Sequence, residues 1–194
     1  VDDPIETFIT HIQGSGRVVL ENGESIGVGY DAQNGQAYRA IGRDLVERGV
    51  ASASEMNLDI IVNWLRANPK EAQEVMNKNP SYVFFREVSK VPADKGPLGA
   101  INRSITTMRS VAVDPAFIPL GAPVWIEKDG KAPLRRLMIV QDTGSAIKGA
   151  QRADVFFGTG DQAGLDAGTL RDPGRLLVLM PIQRAYALLP ESAI

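Results

Sequence analysis

Two aspartates on either side of a glycine-rich loop are the residues best placed to do chemistry in this chain. Asp142 follows the apolar run 137–140, and Asp154 lies in the segment 152–158 beyond the loop. A carboxylate at the end of a strand lies where protein and solvent meet, so burial can raise its pKa while the sheet fixes its direction. This placement predicts an acid catalyst.

The segment 141–158 resembles the C-terminal signature of the membrane-bound lytic transglycosylase A (MltA) family, bacterial enzymes that cut the glycan strands of peptidoglycan. Further blocks agree with that resemblance, and blocks that match in register are far more specific than any single short pattern. These blocks are 12–17, 29–35, 38–42, 79–86 and 111–114, the last followed by 118–121.

The resemblance implies a lytic transglycosylase. In this family one acid protonates the oxygen between N-acetylmuramic acid and N-acetylglucosamine. The same group then acts as base toward the 6-hydroxyl of the muramic residue, which attacks C1 and gives a 1,6-anhydro product. By motif position the acid/base is Asp154, with Asp142 and Asp114 as supporting carboxylates. Like charges close together raise one pKa, which would help Asp154 keep its proton.

Arg152 opposes such a shift, because alternation along a strand would place it on the same face as Asp154. If the strand begins only at Ala153, the guanidinium can point away.

Several residues suit a neutral, polyhydroxylated ligand. A side-chain amide, a hydroxyl and exposed backbone offer hydrogen bonds to sugars, and aromatic rings offer stacking. The expected substrate-binding residues are Gln13, Ser15, Gly16, Tyr30, Asn34, Gly144 and Lys148.

Each of these residues also has an ordinary structural interpretation. Asp142 could be a turn aspartate in Asp-Thr-Gly that binds its own backbone two residues on. Asp154 could be a surface strand residue, Asp114 a turn residue before Pro115, and the binding residues simply parts of a hairpin and loops. Two other functions stay open: a glycoside hydrolase that uses two aspartates, and a non-catalytic glycan-binding module.

The elements that must position these residues follow from the apolar pattern. The runs 18–20 and 26–28, joined by a turn at 21–24, predict a β-hairpin. Apolar stripes predict helices around 41–46 and 58–65, and Asn68 is expected to cap a further helix entered at Pro69. Six short β-like runs then suggest a barrel; they are 82–85, 109–113, 123–126, 137–140, 154–157 and 176–180.

The fold class is therefore expected to be mainly β with some α. The resemblance implies a double-psi β-barrel over residues 89–194 and a smaller mixed α/β domain over residues 1–88, which would be the C-terminal portion of the family's inserted domain. Members of the family have a substantial segment upstream of the 12–17 block, and this chain begins just before that block.

The amino-acid composition narrows the classes of ligand and partner to expect. With 21 Lys and Arg against 23 Asp and Glu, the net charge of −2 does not favour nucleic acid. Zero cysteines and one histidine exclude cysteine-ligated and multi-histidine metal sites within one chain. The resemblance implies an enzyme that needs no metal and no organic cofactor.

The printed chain has no run of eighteen apolar residues and no signal-peptide pattern at its start. The family resemblance implies peptidoglycan glycan strands as partner. It also implies a periplasmic location with outer-membrane attachment through a lipidated N-terminus that this chain lacks. We expect a monomer.

Overall fold

The computed structural model describes residues 1–88, 95–130, 133–168 and 172–188. Helices and strands contribute comparable lengths, so the chain is mixed α/β rather than mainly β. It divides into two compact units, Val1–Pro92 and Ala93–Ile194. The boundary expected between residues 88 and 89 adjoins residues 89–94, which lie outside the described residues.

The first unit contains four helices and three strands among its described residues. In chain order they are α1 (Pro4–Gln13), β1 (Ser15–Val19), β2 (Ser25–Gln33), α2 (Gly42–Glu47), α3 (Leu58–Ala67), α4 (Pro69–Asn77) and β3 (Val83–Glu87).

Helix α1 was missed by the apolar pattern, although its start and end carry clear signals. The Asp3 side chain accepts hydrogen bonds from the backbone N–H groups of Ile5 and Glu6, at 2.8 and 3.1 Å. Pro4 then occupies the first turn, and Gly14 ends the helix in the left-handed conformation with φ of 74°. An N-capping aspartate, a proline after it and a terminal glycine are typical of a complete short helix.

The predicted hairpin is confirmed. Strands β1 and β2 pair antiparallel from Ser15↔Gly29 to Val19↔Ser25. Strand β3 adds to the far side of β2, also antiparallel, so the first sheet has the order β1-β2-β3. The run 82–85 therefore does not join the other five β runs, and the barrel of six runs is wrong in this respect.

The three predicted helical segments are confirmed as α2, α3 and α4. Asn68 does precede Pro69, but its side chain does not cap α4; it donates instead to the Trp64 carbonyl in the last turn of α3, at 2.8 Å. The core of this unit joins α1 to the other helices through Ile5, Ile41, Leu45, Leu65, Ala72, Val75 and Met76.

The second unit carries five strands and two helices among its described residues. They are β4 (Ser110–Val113), β5 (Pro123–Lys128), β6 (Leu134–Asp142), β7 (Ala153–Val155), α5 (Asp161–Gly168), β8 (Gly174–Val178) and α6 (Ile182–Leu188).

The five strands form one mixed sheet with the order β7-β4-β6-β5-β8. Strands β4 and β6 run parallel, and the other neighbours are antiparallel. One face of this sheet packs into a core of aliphatic side chains. Its buried members are Val111, Val113, Ile118, Val124, Ile126, Leu134, Met138 and Val140.

Within the described parts of the chain, no helix combines the length and apolar character that crossing a bilayer requires.

Candidate active site

The register of the second sheet places two of the predicted catalytic aspartates beside one small residue. Ala112 on β4 pairs with Asp154 on β7 at one side and with Asp142 on β6 at the other. We call these three residues the aspartate rung. Since neighbouring strands lie about 4.8 Å apart, the two aspartate Cα atoms are separated by roughly 10 Å.

The rung lies on the face of the sheet opposite the aliphatic core. Val111 and Val113 are buried in that core, and side chains alternate along a strand, so Ala112 projects from the other face. Directly paired residues share a face, and Asp142 and Asp154 therefore project from the same side as Ala112.

A bulge in β6 brings Asp142 to the rung. Ser110 pairs with Ile139 and Val111 with Val140, but Ala112 pairs with Asp142, so Gln141 is the extra residue. Without this extra residue Gln141 would stand opposite Ala112, and Asp142 would leave the other face. Nothing in the sequence pattern around 137–142 signalled the bulge.

Asp154 is held by Arg152. The guanidinium Nε lies 3.0 Å from Oδ1 of Asp154, and Nη2 lies 3.2 Å from Oδ2. The strand does begin at Ala153, yet the guanidinium turns onto the carboxylate instead of pointing away. About half of each side chain is exposed, 51% for Arg152 and 46% for Asp154. The bond to Asp154 is the main reason that the pKa of Arg152 lies above its usual value.

Asp142 lies in a different environment. Its side chain is half-buried, and Oδ1 accepts the backbone N–H of Ala100 at 3.1 Å. Burial raises the pKa of the Asp142 carboxyl, against the lowering effect of the N–H groups of Thr143 and Ala100. This carboxyl therefore holds a proton more readily than an ordinary aspartate does.

The backbone that meets Asp142 is held in place by close packing. A Cβ on Gly99 would lie 2.4 Å from the Gln141 carbonyl oxygen, so only glycine fits there. Below it, the buried Ser110 hydroxyl donates to the Gln141 side-chain oxygen and accepts the Thr106 N–H at 2.7 Å. Gly99 and Ala112 were not among the residues predicted for the site; the cluster of Gly and Pro at 96–99 was the signal for a close approach.

Asp114 lies just past the end of β4 and anchors the loop between β6 and β7. It is buried, and its two oxygens accept the N–H groups of Ala116, at 3.1 Å, and Gly149, at 2.9 Å. Lys148 Nζ stands 4.0 Å from Oδ1. The Gly149 N–H is the main cause that lowers the pKa of Asp114, followed by the Ala116 N–H and then Lys148. This carboxylate is therefore a hydrogen-bond acceptor that fixes the loop.

The other loop residues named from the sequence are Gly144 and Lys148. Gly144 starts a tight turn, with the Ile147 N–H bonded to its carbonyl at 3.0 Å. Lys148 exposes 63% of its side chain next to Asp114. Both therefore lie in the same loop that Asp114 anchors and that leads into β7.

In the first unit the predicted binding residues divide between two faces of the β1-β2-β3 sheet. Gly16 faces α1, since a Cβ there would lie 2.9 Å from Thr10. Gly16 pairs with Val28, and alternation puts Tyr30 on this same face. Ser15 pairs with Gly29 and projects from the opposite face.

Gln13 and Asn34 have contrasting positions. Gln13 ends α1 with an exposed side chain. The Asn34 side chain ties two segments together: its amide donates to the Pro80 carbonyl at 2.8 Å, and its oxygen accepts the Tyr82 N–H at 3.0 Å. Asn34 therefore fixes the chain that enters β3.

Among the described residues, no group of three or more His, Cys, Asp or Glu side chains is arranged to hold a metal ion.

Comparison with protein families gives two matches that together span most of the chain. Residues 1–86 match the MltA specific insert domain, and residues 109–180 match the 3D domain. A curated relative from Vibrio cholerae, a membrane-bound lytic murein transglycosylase A, is 36% identical over 97% of this chain. That alignment covers 54% of the relative, so this chain spans about half the length of the protein it matches.

Similar solved structures belong to the same family as the curated relative. A membrane-bound lytic murein transglycosylase from Agrobacterium tumefaciens superposes with a TM-score of 0.85 at 34% identity, covering 95% of this chain and 52% of that one. The structure of E. coli MltA with bound chitohexaose gives a TM-score of 0.82 at 32% identity, over 91% and 54% of the two chains. The chain therefore belongs to the membrane-bound lytic murein transglycosylase A family.

Proposed function

We propose that this chain carries the catalytic acid of a peptidoglycan lytic transglycosylase. The reaction would cleave the β-1,4 bond between N-acetylmuramic acid and N-acetylglucosamine and leave a 1,6-anhydromuramic end. The observation that carries the proposal is the aspartate rung, in which Ala112 pairs with Asp142 on one side and with Asp154 on the other. The E. coli relative with bound chitohexaose supports a glycan ligand.

In the proposed mechanism one carboxyl group does both proton transfers. Protonated Asp154 gives its proton to the glycosidic oxygen as the bond to C1 breaks, and the leaving sugar departs as an alcohol. The Asp154 carboxylate then accepts the proton of the 6-hydroxyl while that oxygen bonds to C1. Asp154 ends protonated as it began, and no water is consumed.

The supporting carboxylates have distinct proposed roles. A positive charge develops on the sugar ring as the bond breaks, and an acidic group across Ala112 is placed to favour it. Asp142 is that group. Asp114 acts indirectly, because it fixes the loop that precedes Asp154.

The barrel topology and the domain bounds are part of the same proposal. We infer a double-psi β-barrel built on residues 89–194 and a smaller mixed domain over residues 1–88, each completed by family segments that the printed chain does not include. The proposed binding residues are Gln13, Ser15, Gly16, Tyr30, Asn34, Gly144 and Lys148.

The proposed setting follows from the family. The relatives' names describe membrane-bound murein enzymes, which supports a periplasmic, membrane-associated protein acting on glycan strands. We propose that it attaches to the outer membrane and acts as a monomer. A net charge of −2 gives no attraction for nucleic acid, and the proposed proton transfers need no cofactor.

Replacement of Asp154 by Asn in the full-length natural protein tests the mechanism. Because the amide cannot supply the proton, release of anhydromuramic products from peptidoglycan should fall roughly 10²- to 10⁴-fold. Product masses are measured by mass spectrometry, and folding by thermal unfolding. Asp129→Asn is the matched control, since Asp129 also pairs with an arginine, Arg135, in the same unit.

Three outcomes would contradict the proposal. Undiminished activity of Asp154→Asn would remove this residue from the mechanism. Reducing ends one water heavier than the anhydro sugar would indicate a hydrolase. Glycan binding with no turnover by the natural protein would indicate a binding module.

A further inference from the structure

Arg152 donates hydrogen bonds to the carboxyl group of Asp154, which the proposed function needs as its proton donor. Each oxygen of Asp154 accepts one guanidinium N–H, at 3.0 and 3.2 Å. Such a two-point pair uses both carboxyl oxygens as acceptors. A catalytic acid must carry a proton and must bring it within about 3 Å of the glycosidic oxygen. At least one of the two oxygens must therefore leave the guanidinium before it can carry the proton to the glycosidic oxygen.

The pair lies where it can open. Arg152 belongs to the loop before β7, and both partners expose about half of their side chains. Ion pairs at this degree of exposure are weak, because water solvates both partners well when they separate. The guanidinium can therefore turn into solvent at little cost.

The surrounding charges make Arg152 the group that opposes protonation of Asp154. Asp142 stands across Ala112 on the same face, and Asp114 lies past the end of β4 with Lys148 beside it. The two neighbouring carboxyl groups favour a proton on Asp154 whenever they are charged, whereas the guanidinium in direct contact favours the charged form.

We propose that Arg152 is a positioning residue that keeps Asp154 charged in the free enzyme and releases it when a glycan strand binds. This inference rests on the proposed function. A bound sugar covers the carboxyl group, and the loss of water there favours the neutral acid. As the pair opens, Asp154 takes one proton from solvent while the guanidinium keeps its charge, and the acid is then ready to act.

The pH dependence of the full-length natural enzyme on soluble, peptide-free peptidoglycan strands tests this proposal. Activity falls at high pH as the acid loses its proton; kcat/KM reports this loss in the free enzyme, and kcat reports it in the bound complex. In Arg152→Gln the high-pH limb of kcat/KM should move to higher pH, because the positive charge in contact with the acid is gone. The limb of kcat should stay in place.

Two further variants complete the design. Arg152→Lys keeps the positive charge and should keep both limbs near their natural positions. Arg175→Gln removes another surface arginine of the same unit, one that pairs with Glu127, and should move neither limb. Thermal unfolding checks that all variants fold.

Several results would overturn the inference. They are unmoved limbs in Arg152→Gln, equal shifts in kcat and kcat/KM, or a lower rate at every pH with no shift, which indicates a merely structural arginine. Asp154→Asn separates this failure from that of the proposed function. If Asp154→Asn is inactive but Arg152→Gln leaves the limbs in place, only the role of Arg152 fails.

Discussion

The two ends of the aspartate rung hold the same functional group in opposite ways. On β6, Asp142 is half-buried and meets backbone N–H groups, which are fixed by the fold. On β7, Asp154 is half-exposed and meets the side chain of Arg152, which can move. Burial raises the pKa of the Asp142 carboxyl at the first end, and the guanidinium donates to both oxygens of Asp154 at the second.

This difference suggests how the work is divided between them. A group held by backbone keeps one position and one environment, which suits a carboxyl that only tunes the field around the sugar. A group held by a mobile side chain can change its state when a ligand arrives. In our proposal, Asp154 is therefore the carboxyl group that ligand binding releases from its partner.

We expect the largest effect on stability from a substitution at Gly99, because the backbone beside this residue positions Asp142. In Gly99→Ala the new Cβ would meet the Gln141 carbonyl oxygen at 2.4 Å, and backbone cannot move aside easily. We expect a loss of about 1–3 kcal/mol in the free energy of unfolding, measured by urea denaturation. The Ala100 N–H should also move away from Asp142.

Gly164→Ala is the matched control. Gly164 lies in helix α5, and no atom lies within 4 Å of a Cβ placed there. Alanine should stabilise this helix by roughly 0.5–1 kcal/mol. Equal destabilisation by both substitutions would show that the close approach at Gly99 does not matter.

Asp142 and Asp114 should give a smaller effect, which is measured through the pH dependence of stability. Burial raises the pKa of Asp142 in the folded protein, so the folded state binds more protons than the unfolded state. Stability then falls as pH rises from about 3.9, the usual aspartate value, through the raised folded value. Relative to Asp142→Asn, the natural protein should therefore lose unfolding free energy across this window.

Asp114 should behave in the opposite sense. Backbone N–H donors lower its pKa in the folded protein, so its stabilising effect is present above about pH 3.9 and is lost as pH falls through the lowered value. Asp114→Asn should therefore be less stable than the natural protein at neutral pH, with the gap narrowing in acid. Urea unfolding at pH 3, 4, 5.5 and 7 measures both variants, and parallel curves would contradict the two assignments.

Secondary structure could be predicted from the sequence better than the arrangement of the site could. The hairpin, helices α2 to α4 and the β runs follow from apolar periodicity and turn residues, which act over a few neighbours. Strand β3 was assigned to the wrong sheet, because periodicity says that a strand exists and not which strand it pairs with. Helix α1 was missed although Asp3, Pro4 and Gly14 mark its ends.

The site depends on pairings between distant segments. The sequence pointed to Asp142 and Asp154 as strand-end carboxylates, but Ala112 between them is an unremarkable residue in an apolar run. Its role appears only through the register of three strands and the bulge at Gln141. The sequence placed Arg152 beside Asp154 as an opposing charge, but its rotamer depends on a side-chain contact that strand alternation does not determine.

Lys148 gives the mildest test of how the loop between the two aspartates is held. If backbone donors fix Asp114, as the 2.9 Å bond from the Gly149 N–H indicates, the lysine at 4.0 Å adds little, since 63% of its side chain is exposed. Lys148→Gln should change the free energy of unfolding by less than about 0.5 kcal/mol in urea denaturation. Because Lys148 is also a proposed sugar contact, the same variant should raise KM for glycan strands more than it lowers kcat. A large loss of stability would instead make the lysine the anchor of the loop, and the backbone donors would then be secondary.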